Sequence, residues 1–242
     1  MNIFLKLILY CIDAYNKRKI LIFFKKVLKE KFLTVIDVGA HEGETLKFFF
    51  YNFKIKSIIG YEASKINFHK LKNCIKKIKT DNPNSIIEYN NIALGEKKMQ
   101  IEFYQTSESS SSTFCKINYD SNYFKRKKKI LNFFLKKNYI SKSEIINLEP
   151  LKDELQKYNL GDIDILKIDT EGYEFNILKG LGDKISSIKY IYFEHHFDNM
   201  IIKNYKYRDI NNYLNSFNFH KVLKLRMPLR KTFEYIYENK AS

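Results

Sequence analysis

The segment V-I-D-V-G-A-H-E-G-E-T, from Val35 to Thr45, decides the fold of this 242-residue chain. A short apolar run carries an acid, Asp37, near its end and passes through a glycine-containing turn into a stretch with helical spacing. Gly39 and Gly43 allow positive φ and a close approach of the backbone to a ligand. The free N–H groups at the start of the following helix are expected to face a polar or anionic ligand.

The rest of the chain alternates short β-rich runs with helical stretches. The predicted strands are 33–37, 57–61, 86–92, 99–105, 144–148, 163–168 and 188–193, with a closing pair at 222–226 and 233–237. Helices are predicted at 44–51, at 64–79, from Pro150 to before Gly161, up to about Gly180, and at 207–217. This alternation predicts an α/β fold with a single doubly wound, mostly parallel sheet and an antiparallel C-terminal strand. Such a sheet binds ligands beyond the carboxyl ends of its strands.

Two further strand ends carry residues that suit an adenosine. Glu62 ends the second predicted strand, 25 residues after Asp37, and an acid at this place accepts hydrogen bonds from ribose hydroxyls. Asn91 and Ala93 lie where the third strand ends, within Asn91–Gly95, and offer an amide and a small side chain beside a flat adenine ring. These features indicate an adenosine ribose, but they do not separate NAD from S-adenosylmethionine.

A second polar group follows two later strands. Asp169 and Glu171 come after the strand at 163–168, and Glu194 and His195 come after the next core strand. We expect an acidic pocket there, with Asp169 contacting cofactor or substrate and the other three serving as base or as orienting groups. Whether His196 joins them or lies on the surface stays open. Oxygen and imidazole ligands also suit Mg²⁺ or Mn²⁺, so a divalent metal is an alternative that we do not favour.

Taken together with two later segments, these residues resemble the FkbM family of methyltransferases. The first segment is Y-Q-T-S-E-S-S-S-S-T-F, from Tyr104 to Phe114, a serine-rich loop after an extra strand. The second is D-I-L-K-I-D-T-E-G-Y-E-F-N-I-L-K-G, from Asp164 to Gly180. Its K-I-D-x-E-G-x-E pattern is far more specific than the glycine turn. The resemblance runs from about Val35 to Glu194.

The resemblance implies a Rossmann-like class I methyltransferase fold, S-adenosylmethionine as cofactor, and O-methylation of a sugar or polyketide hydroxyl. It implies that the methionine part lies along the glycine turn, the ribose at Glu62, and the adenine at Asn91 and Ala93. The implied cofactor-binding residues are Asp37, Gly39, His41, Gly43, Thr45, Glu62, Asn91 and Ala93. The chain departs from the family pattern at His41, where Asn is usual, and at Glu149, where Asp is usual.

The positive charge is concentrated in two segments. The chain carries a formal charge of +16. Residues 1–31 hold eight basic and two acidic side chains, and residues 116–142 hold nine basic and one acidic. We interpret the first as a basic helical extension and the second as a basic helical insertion in a methyltransferase domain at 32–242. The pattern favours an anionic partner, and the run at 125–129 suits a phosphate, unless the lysines only solvate the surface.

Cysteine use and hydropathy bear on location. Cys11, Cys74 and Cys115 are scattered, which disfavours a disulfide framework and a structural zinc site and favours a cytoplasmic protein. The apolar stretch at 1–12 is interrupted by Lys6 and no cleavage site follows it. Peripheral membrane contact stays open, because a basic helix can lie on a membrane surface.

The leading hypothesis is an S-adenosylmethionine-dependent O-methyltransferase acting on a sugar or glycan hydroxyl. An RNA methyltransferase is an alternative, because the chain is basic and rich in tyrosine, although no RNA-binding module is recognisable and nucleic acid is disfavoured. A non-catalytic, membrane-associated binding protein that keeps the fold is another. An NAD enzyme is disfavoured, because Ala40 and His41 stand where a complete G-x-G-x-x-G pattern needs glycines.

Overall fold

The computed structural model describes residues 3–106, 112–135, 141–227 and 230–241. Its helices are α1 (Ile3–Leu28), α2 (Glu44–Asn52), α3 (Lys65–Asp81), α4 (Asn122–Leu135), α5 (Leu151–Leu155), α6 (Glu174–Lys179) and α7 (Tyr207–Ser216). Its strands are β1 (Leu33–Val38), β2 (Ile55–Tyr61), β3 (Ile86–Asn90), β4 (Ala93–Gly95), β5 (Met99–Thr106), β6 (Lys116–Ile117), β7 (Ser141–Pro150), β8 (Ile163–Ile168), β9 (Ile188–His196), β10 (Ile201–Ile202), β11 (Phe219–Arg226) and β12 (Thr232–Asn239).

Seven strands form the main sheet in the order β11-β12-β9-β8-β1-β2-β3. The pairs from β9 through β8, β1 and β2 to β3 are parallel, and β12 runs antiparallel to both of its neighbours. The predicted doubly wound, mostly parallel sheet with an antiparallel C-terminal strand is therefore confirmed. Strand order reverses between β1 and β8, which places a crevice at their carboxyl ends.

The sheet is covered on both faces, which explains why its central strands are apolar throughout. All six residues of β1 are buried. Successive side chains of a strand point to opposite faces. Accordingly Ile36 joins one core cluster together with residues of α6 and α7, whereas Val35 joins the other together with residues of α1, α2 and α3. Asp37, two residues after Val35 on the same strand, therefore points to the same face as Val35.

Helix α1 packs against the sheet through its C-terminal half. Ile20, Phe24 and Leu28 are buried in the same cluster as Val35. The side-chain amide of Asn16 donates to a carboxylate oxygen of Glu234, in β12, at 3.3 Å. The helix thus lies across the face that also carries Asp37. Among the described residues no helix is both long and apolar enough to cross a bilayer.

The segment between β3 and β8 forms a separate small sheet, in the order β4-β7-β5. Strand β7 is longer than predicted, because it pairs with β5 along eight positions, from Met99 to Thr106. Helix α5 is shorter than predicted, and the chain after it continues in tight turns such as Lys157 N to Glu154 O. The basic insertion at 116–142 contains β6 and α4, and its residues 136–140 lie outside the described ones. The domain limits 1–31 and 32–242 stay predictions.

Candidate active site at the carboxyl edge of the sheet

The glycine turn after β1 packs closely against the end of β8. Gly39, His41 and Gly43 have φ of 81°, 49° and 96°. A Cβ on Gly39 would lie 1.9 Å from the carbonyl oxygen of Asp169, and one on Gly43 would lie 2.8 Å from Sγ of Cys74. Both glycines are therefore required for close packing as well as for positive φ.

Glu62 is held beside this turn by backbone hydrogen bonds. Its two carboxylate oxygens accept from the N–H of His41 and of Ser64, each at 2.8 Å. Burial raises the pKa of Glu62, although these N–H groups act in the opposite direction. Asn91 in turn donates to the carbonyl oxygens of Glu62, at 2.7 Å, and Ala63, at 3.1 Å. Since each carboxylate oxygen has two lone pairs, Glu62 keeps capacity to accept from a ligand.

His41 and Thr45 occupy the start of α2. Nδ1 of His41 lies 3.2 Å from a carboxylate oxygen of Glu44. Burial lowers the pKa of His41, but Glu44 outweighs it and the pKa is raised overall. Thr45 is buried. The prediction that these two residues contact a cofactor stays a prediction.

The residues predicted for the adenine line a cleft of about 630 Å³. Ala63, Asn91 and Ala93 form one wall, and residues of β5, β7 and α5 form the other. Glu149, one of the two departures from the family pattern, lines the same cleft and lies 3.2 Å from Nζ of Lys98. The cleft therefore combines small side chains with charged ones.

Asp37 is fully buried at the end of β1. Its Oδ2 accepts a hydrogen bond from the Tyr89 hydroxyl at 3.2 Å, whereas its buried Oδ1 has no hydrogen-bond partner among the described residues. Burial raises the pKa of Asp37 to about 6, although Lys167 acts to lower it. Lys167 donates to Oδ2 of Asp169 at 3.1 Å. A buried carboxylate oxygen without a donor is costly, so Oδ1 is a place where a ligand donor is expected.

Next to this group lies a cluster of one imidazole and three carboxylates. Nε2 of His196 is 3.2 Å from Glu171 and 3.1 Å from Glu194, and its Nδ1 is 3.5 Å from Asp198. Burial lowers the pKa of His196, but these carboxylates outweigh burial and hold the pKa well above its ordinary value. The neighbouring carboxylates therefore favour the protonated form of the imidazole. Glu171, 18% exposed, and Glu194, 15% exposed, are accessible to an acceptor.

The turn that carries Glu171 is held by several hydrogen bonds. Glu171 and Gly172 have φ of 51° and 98°. The buried Glu174 accepts from the N–H of Gly172 at 2.8 Å and from the hydroxyl of Tyr205 at 2.7 Å. Thr113 donates to the carbonyl oxygen of Glu171 at 2.7 Å. These bonds position Glu171 against His196.

His195 does not join this cluster, because neighbouring residues of a strand face opposite sides of the sheet. Three aromatic rings surround it, those of Phe197, Tyr205 and Tyr207. Burial lowers its pKa to about 3, so it stays neutral. The structure therefore places His196, rather than His195, with Glu171 and Glu194. The alternation along β9 was the signal in the sequence, since it puts Glu194 and His196 on one face.

Three further points concern this region. Lys167 was not singled out, although it belongs to the K-I-D-x-E-G-x-E pattern and lies between Asp37 and Asp169 in the electrostatic network. Of the serine run at 109–112, only Ser112 is described, and its Oγ accepts from Gln105 at 2.8 Å. Within the described part of the chain, no group of three or more His, Cys, Asp or Glu residues is arranged to hold a metal ion.

Structural comparisons identify related folds. The crystal structure of methyltransferase FkbM from Methylobacillus flagellatus KT matches with a TM-score of 0.57 at 18% identity, over 85% of this chain and 44% of that chain. Magnesium protoporphyrin IX methyltransferase (ChlM) from Synechocystis PCC 6803, with bound S-adenosylmethionine, matches with a TM-score of 0.52 at 10% identity, over 98% and 83% of the two chains. TrmK from M. capricolum, in complex with S-adenosyl-homocysteine, matches with a TM-score of 0.50 at 9% identity, over 91% and 67%.

These likenesses confirm the class I methyltransferase fold. The chain spans less than half of the length of the FkbM structure that it matches. A search of curated proteins finds no match. The model of the methyltransferase FkbM domain matches residues 37–221, which include the glycine turn, Glu62 and the cluster around His196. This match covers most of the sequence, and the chain therefore belongs to the FkbM methyltransferase family.

Proposed function

We propose that this methyltransferase uses S-adenosylmethionine to methylate a hydroxyl oxygen of a sugar or glycan. One observation carries the proposal. The carboxyl edge of the sheet brings the buried carboxylate of Asp37, one oxygen of which has no hydrogen-bond partner among the described residues, next to a cluster of carboxylates and an imidazole around His196. The carboxylate of Asp37 suits binding of the cofactor, and the cluster around His196 suits the removal of a proton from a hydroxyl.

The residues fit an adenosyl cofactor. Oδ1 of Asp37, which has no partner in the described part of the chain, offers an acceptor to the amino group of the methionine part, and Gly39 keeps the turn free of a side chain. Glu62 keeps lone pairs that can accept from ribose hydroxyls, and Asn91 with Ala93 borders the cleft proposed for the adenine. When bound, the cofactor supplies an electrophilic methyl group. Two proteins of similar fold hold S-adenosylmethionine or S-adenosyl-homocysteine, which supports the same choice here.

The chain's own residues orient the acceptor and take its proton. Glu171 and Glu194 flank Nε2 of His196, so an acceptor hydroxyl can donate to either carboxylate. A weak base suffices, because a hydroxyl becomes much more acidic as its oxygen gains a methyl group. A protonated His196 attracts both carboxylates by its charge, and its Nδ1 is 3.2 Å from the Thr232 hydroxyl and 3.5 Å from Asp198. Asp169, ionised beside Lys167, is placed between this cluster and the cofactor turn.

The cofactor part is tested by calorimetry with S-adenosyl-homocysteine. Asp37→Asn and Glu62→Gln are expected to weaken binding about tenfold or more, since each removes an ionised acceptor of hydrogen bonds. Glu88→Gln, on the exposed side of β3, is the matched control and should bind like the wild type. Binding that is absent in the wild type, or equal in all four proteins, contradicts the proposed cofactor site.

The acceptor part is tested by transfer of a radiolabelled methyl group to a panel of sugars, sugar phosphates and glycans. Glu171→Gln and Glu194→Gln are expected to lose turnover while they keep affinity for S-adenosyl-homocysteine. Label that enters RNA instead favours the RNA methyltransferase alternative. Normal cofactor binding without transfer to any acceptor favours a non-catalytic binding protein.

We further propose that the protein works in the cytoplasm. Cys74 and Cys115 are free thiols, as expected where the environment is reducing. Fractionation of cells that produce the full chain tests this location, and recovery with the membrane fraction in low salt would indicate peripheral contact.

A further inference from the structure

The segment that leads into the basic insertion is attached directly to the turn that carries Glu171. Thr113 donates to the carbonyl oxygen of Glu171 at 2.7 Å, and Sγ of Cys115 contacts the carbonyl oxygen of Gly172 at 3.2 Å. Thr113 is 1% exposed. The insertion therefore begins at the proposed acceptor site rather than at a remote surface.

A two-stranded ribbon, formed by β6 and β10, connects this turn with the start of helix α4. In it, Ile117 of β6 pairs with Ile201 of β10. Ile117 and Ile201 are buried together with Phe124, in the first turn of α4, and Met200. The turn at Gly172 also contacts the ribbon, because a Cβ on Gly172 would lie 2.9 Å from Cγ2 of Ile201. The start of α4 and the turn that carries Glu171 thus pack on the same ribbon.

Helix α4 exposes a set of cations that have few acidic partners. Lys125 lies 3.3 Å from the carboxylate of Asp120. Arg126, Lys128 and Lys129 are exposed and form no ion pair with any residue that the structure describes. We call these three residues the α4 cation face. It lies on α4, whose Phe124 is buried against the same ribbon that contacts Gly172.

The charges of this helix oppose its own stability. Lys125 lies three and four positions before Lys128 and Lys129, and Arg126 lies three positions before Lys129, so like charges are neighbours on the helix surface. The first turn contains no acidic residue that would complement the helix dipole. Apart from the contact of Lys125 with Asp120, the described residues offer these cations no acidic partner. A bound anion would relieve both effects.

We propose that the α4 cation face binds a phosphate or diphosphate group of a soluble acceptor, so that the substrate class is a phosphorylated sugar or sugar nucleotide. This inference rests on the proposed function, because it assigns the acceptor of the same site. Arg126 offers paired donors that match phosphate oxygens, and the two lysines add point charges. The ribbon shared with Gly172 fixes the distance between the bound phosphate and Glu171.

The experiment measures binding of inorganic pyrophosphate to the full chain by calorimetry. The test variant is the triple substitution Arg126→Gln, Lys128→Gln and Lys129→Gln. The control is Lys72→Gln, Lys76→Gln and Lys77→Gln, which removes three exposed cations from α3. We expect the test variant to lose about tenfold or more in affinity and the control less than about twofold, with wild-type binding weakened by salt. Far-ultraviolet circular dichroism checks that both variants fold.

The outcomes separate this inference from the proposed function. Equal losses in the two triple variants, or no pyrophosphate binding by the wild type, overturn the assignment of the α4 cation face. Binding of S-adenosyl-homocysteine should be unchanged in both variants, and its absence in the wild type contradicts the proposed function alone. Phosphatidylglycerol vesicles provide the second arm. Capture on them that depends on α4 and that pyrophosphate does not compete assigns the helix to a membrane and overturns a soluble acceptor.

Discussion

Tyr89, on β3, donates a hydrogen bond of 3.2 Å to Asp37, on β1, across the strand that separates them. Asp37, Gly60 and Tyr89 are paired in register along three adjacent strands. A Cβ on Gly60 would lie 2.1 Å from Cε1 of the Tyr89 ring. The Tyr89 ring therefore lies over Gly60. Because position 60 has no side chain, the Tyr89 hydroxyl can reach across β2 to the carboxylate of Asp37.

This relationship predicts that Tyr89→Phe weakens binding of S-adenosyl-homocysteine by about fivefold to thirtyfold, since a buried carboxylate loses a hydrogen bond. The Tyr89 bond lowers the pKa of Asp37, which burial raises to about 6. Its removal raises that pKa further and leaves less carboxylate ionised near pH 6. The loss should therefore be larger at pH 6 than at pH 8. Tyr51→Phe, at an exposed position, is the control. A loss that does not depend on pH contradicts the role of Asp37 ionisation.

The contact between the glycine turn and β8 predicts unequal effects of two alanine substitutions. Gly39→Ala places a Cβ 1.9 Å from the Asp169 carbonyl oxygen at a φ of +81°. We expect the free energy of unfolding to fall by more than about 2 kcal/mol. Gly161→Ala meets no atom within 4 Å and should change it by less than about 0.5 kcal/mol. Urea unfolding measures both, and similar stabilities would show that the turn can move away from β8.

The opposite orientations of two adjacent histidines predict different catalytic effects. His196→Gln removes the imidazolium between Glu171 and Glu194, and we expect turnover to fall about a hundredfold. His195→Phe should keep turnover within a few-fold, because the ring is neutral, buried and surrounded by aromatic side chains. His69→Gln, on the exposed face of α3, controls for the loss of a histidine.

The affinity of the His196→Gln and His195→Phe proteins for S-adenosyl-homocysteine should remain that of the wild type. The reverse order, with His195→Phe inactive and His196→Gln active, would contradict the assignment of His196 to the site.

The buried Glu234 predicts a pH-dependent stability. It accepts hydrogen bonds from Tyr192 and Asn16, and burial raises its pKa from 4.5 to about 7. The folded state therefore binds this proton more tightly than the unfolded state. The contribution of the protonated Glu234 to the free energy of unfolding is therefore present at low pH and is lost as the pH rises from about 4.5 through 7.

Glu234→Gln keeps a neutral side chain at this site at every pH. We expect the variant to be more stable than the wild type at pH 8, by on the order of 2 kcal/mol, with little difference below pH 5. Thermal and urea unfolding at both pH values measure this, with the exposed Glu88→Gln as control. A difference that is constant across pH means that Glu234 does not titrate in this range.

Local sequence patterns were sufficient to predict the main sheet, because the apolar residues that identify β1 and β8 as strands lie within each strand. Continuous apolar residues predict a strand covered on both faces, and Gly39 and Gly43 predict a turn with positive φ. The residues proposed for the cofactor belong mostly to two successive strand ends, so one β–α–β step determines their proximity. The ends of β7 and α5 were less predictable, since pairing with β5 extends the one and tight turns shorten the other.

The sequence by itself determined the α/β fold, the glycine turn and the family, because these depend on residues that are near one another in the chain. Only the tertiary structure decided which side chains meet at the proposed acceptor site. Glu171 and His196 are 25 positions apart and meet because β8 and β9 pair in parallel, with Ile168 opposite Phe193. Whether a histidine is neutral or charged depends on which carboxylates lie within a few ångströms of its ring. Neighbouring residues of β9 face opposite sides of the sheet, so His195 lies among aromatic rings and His196 among acids.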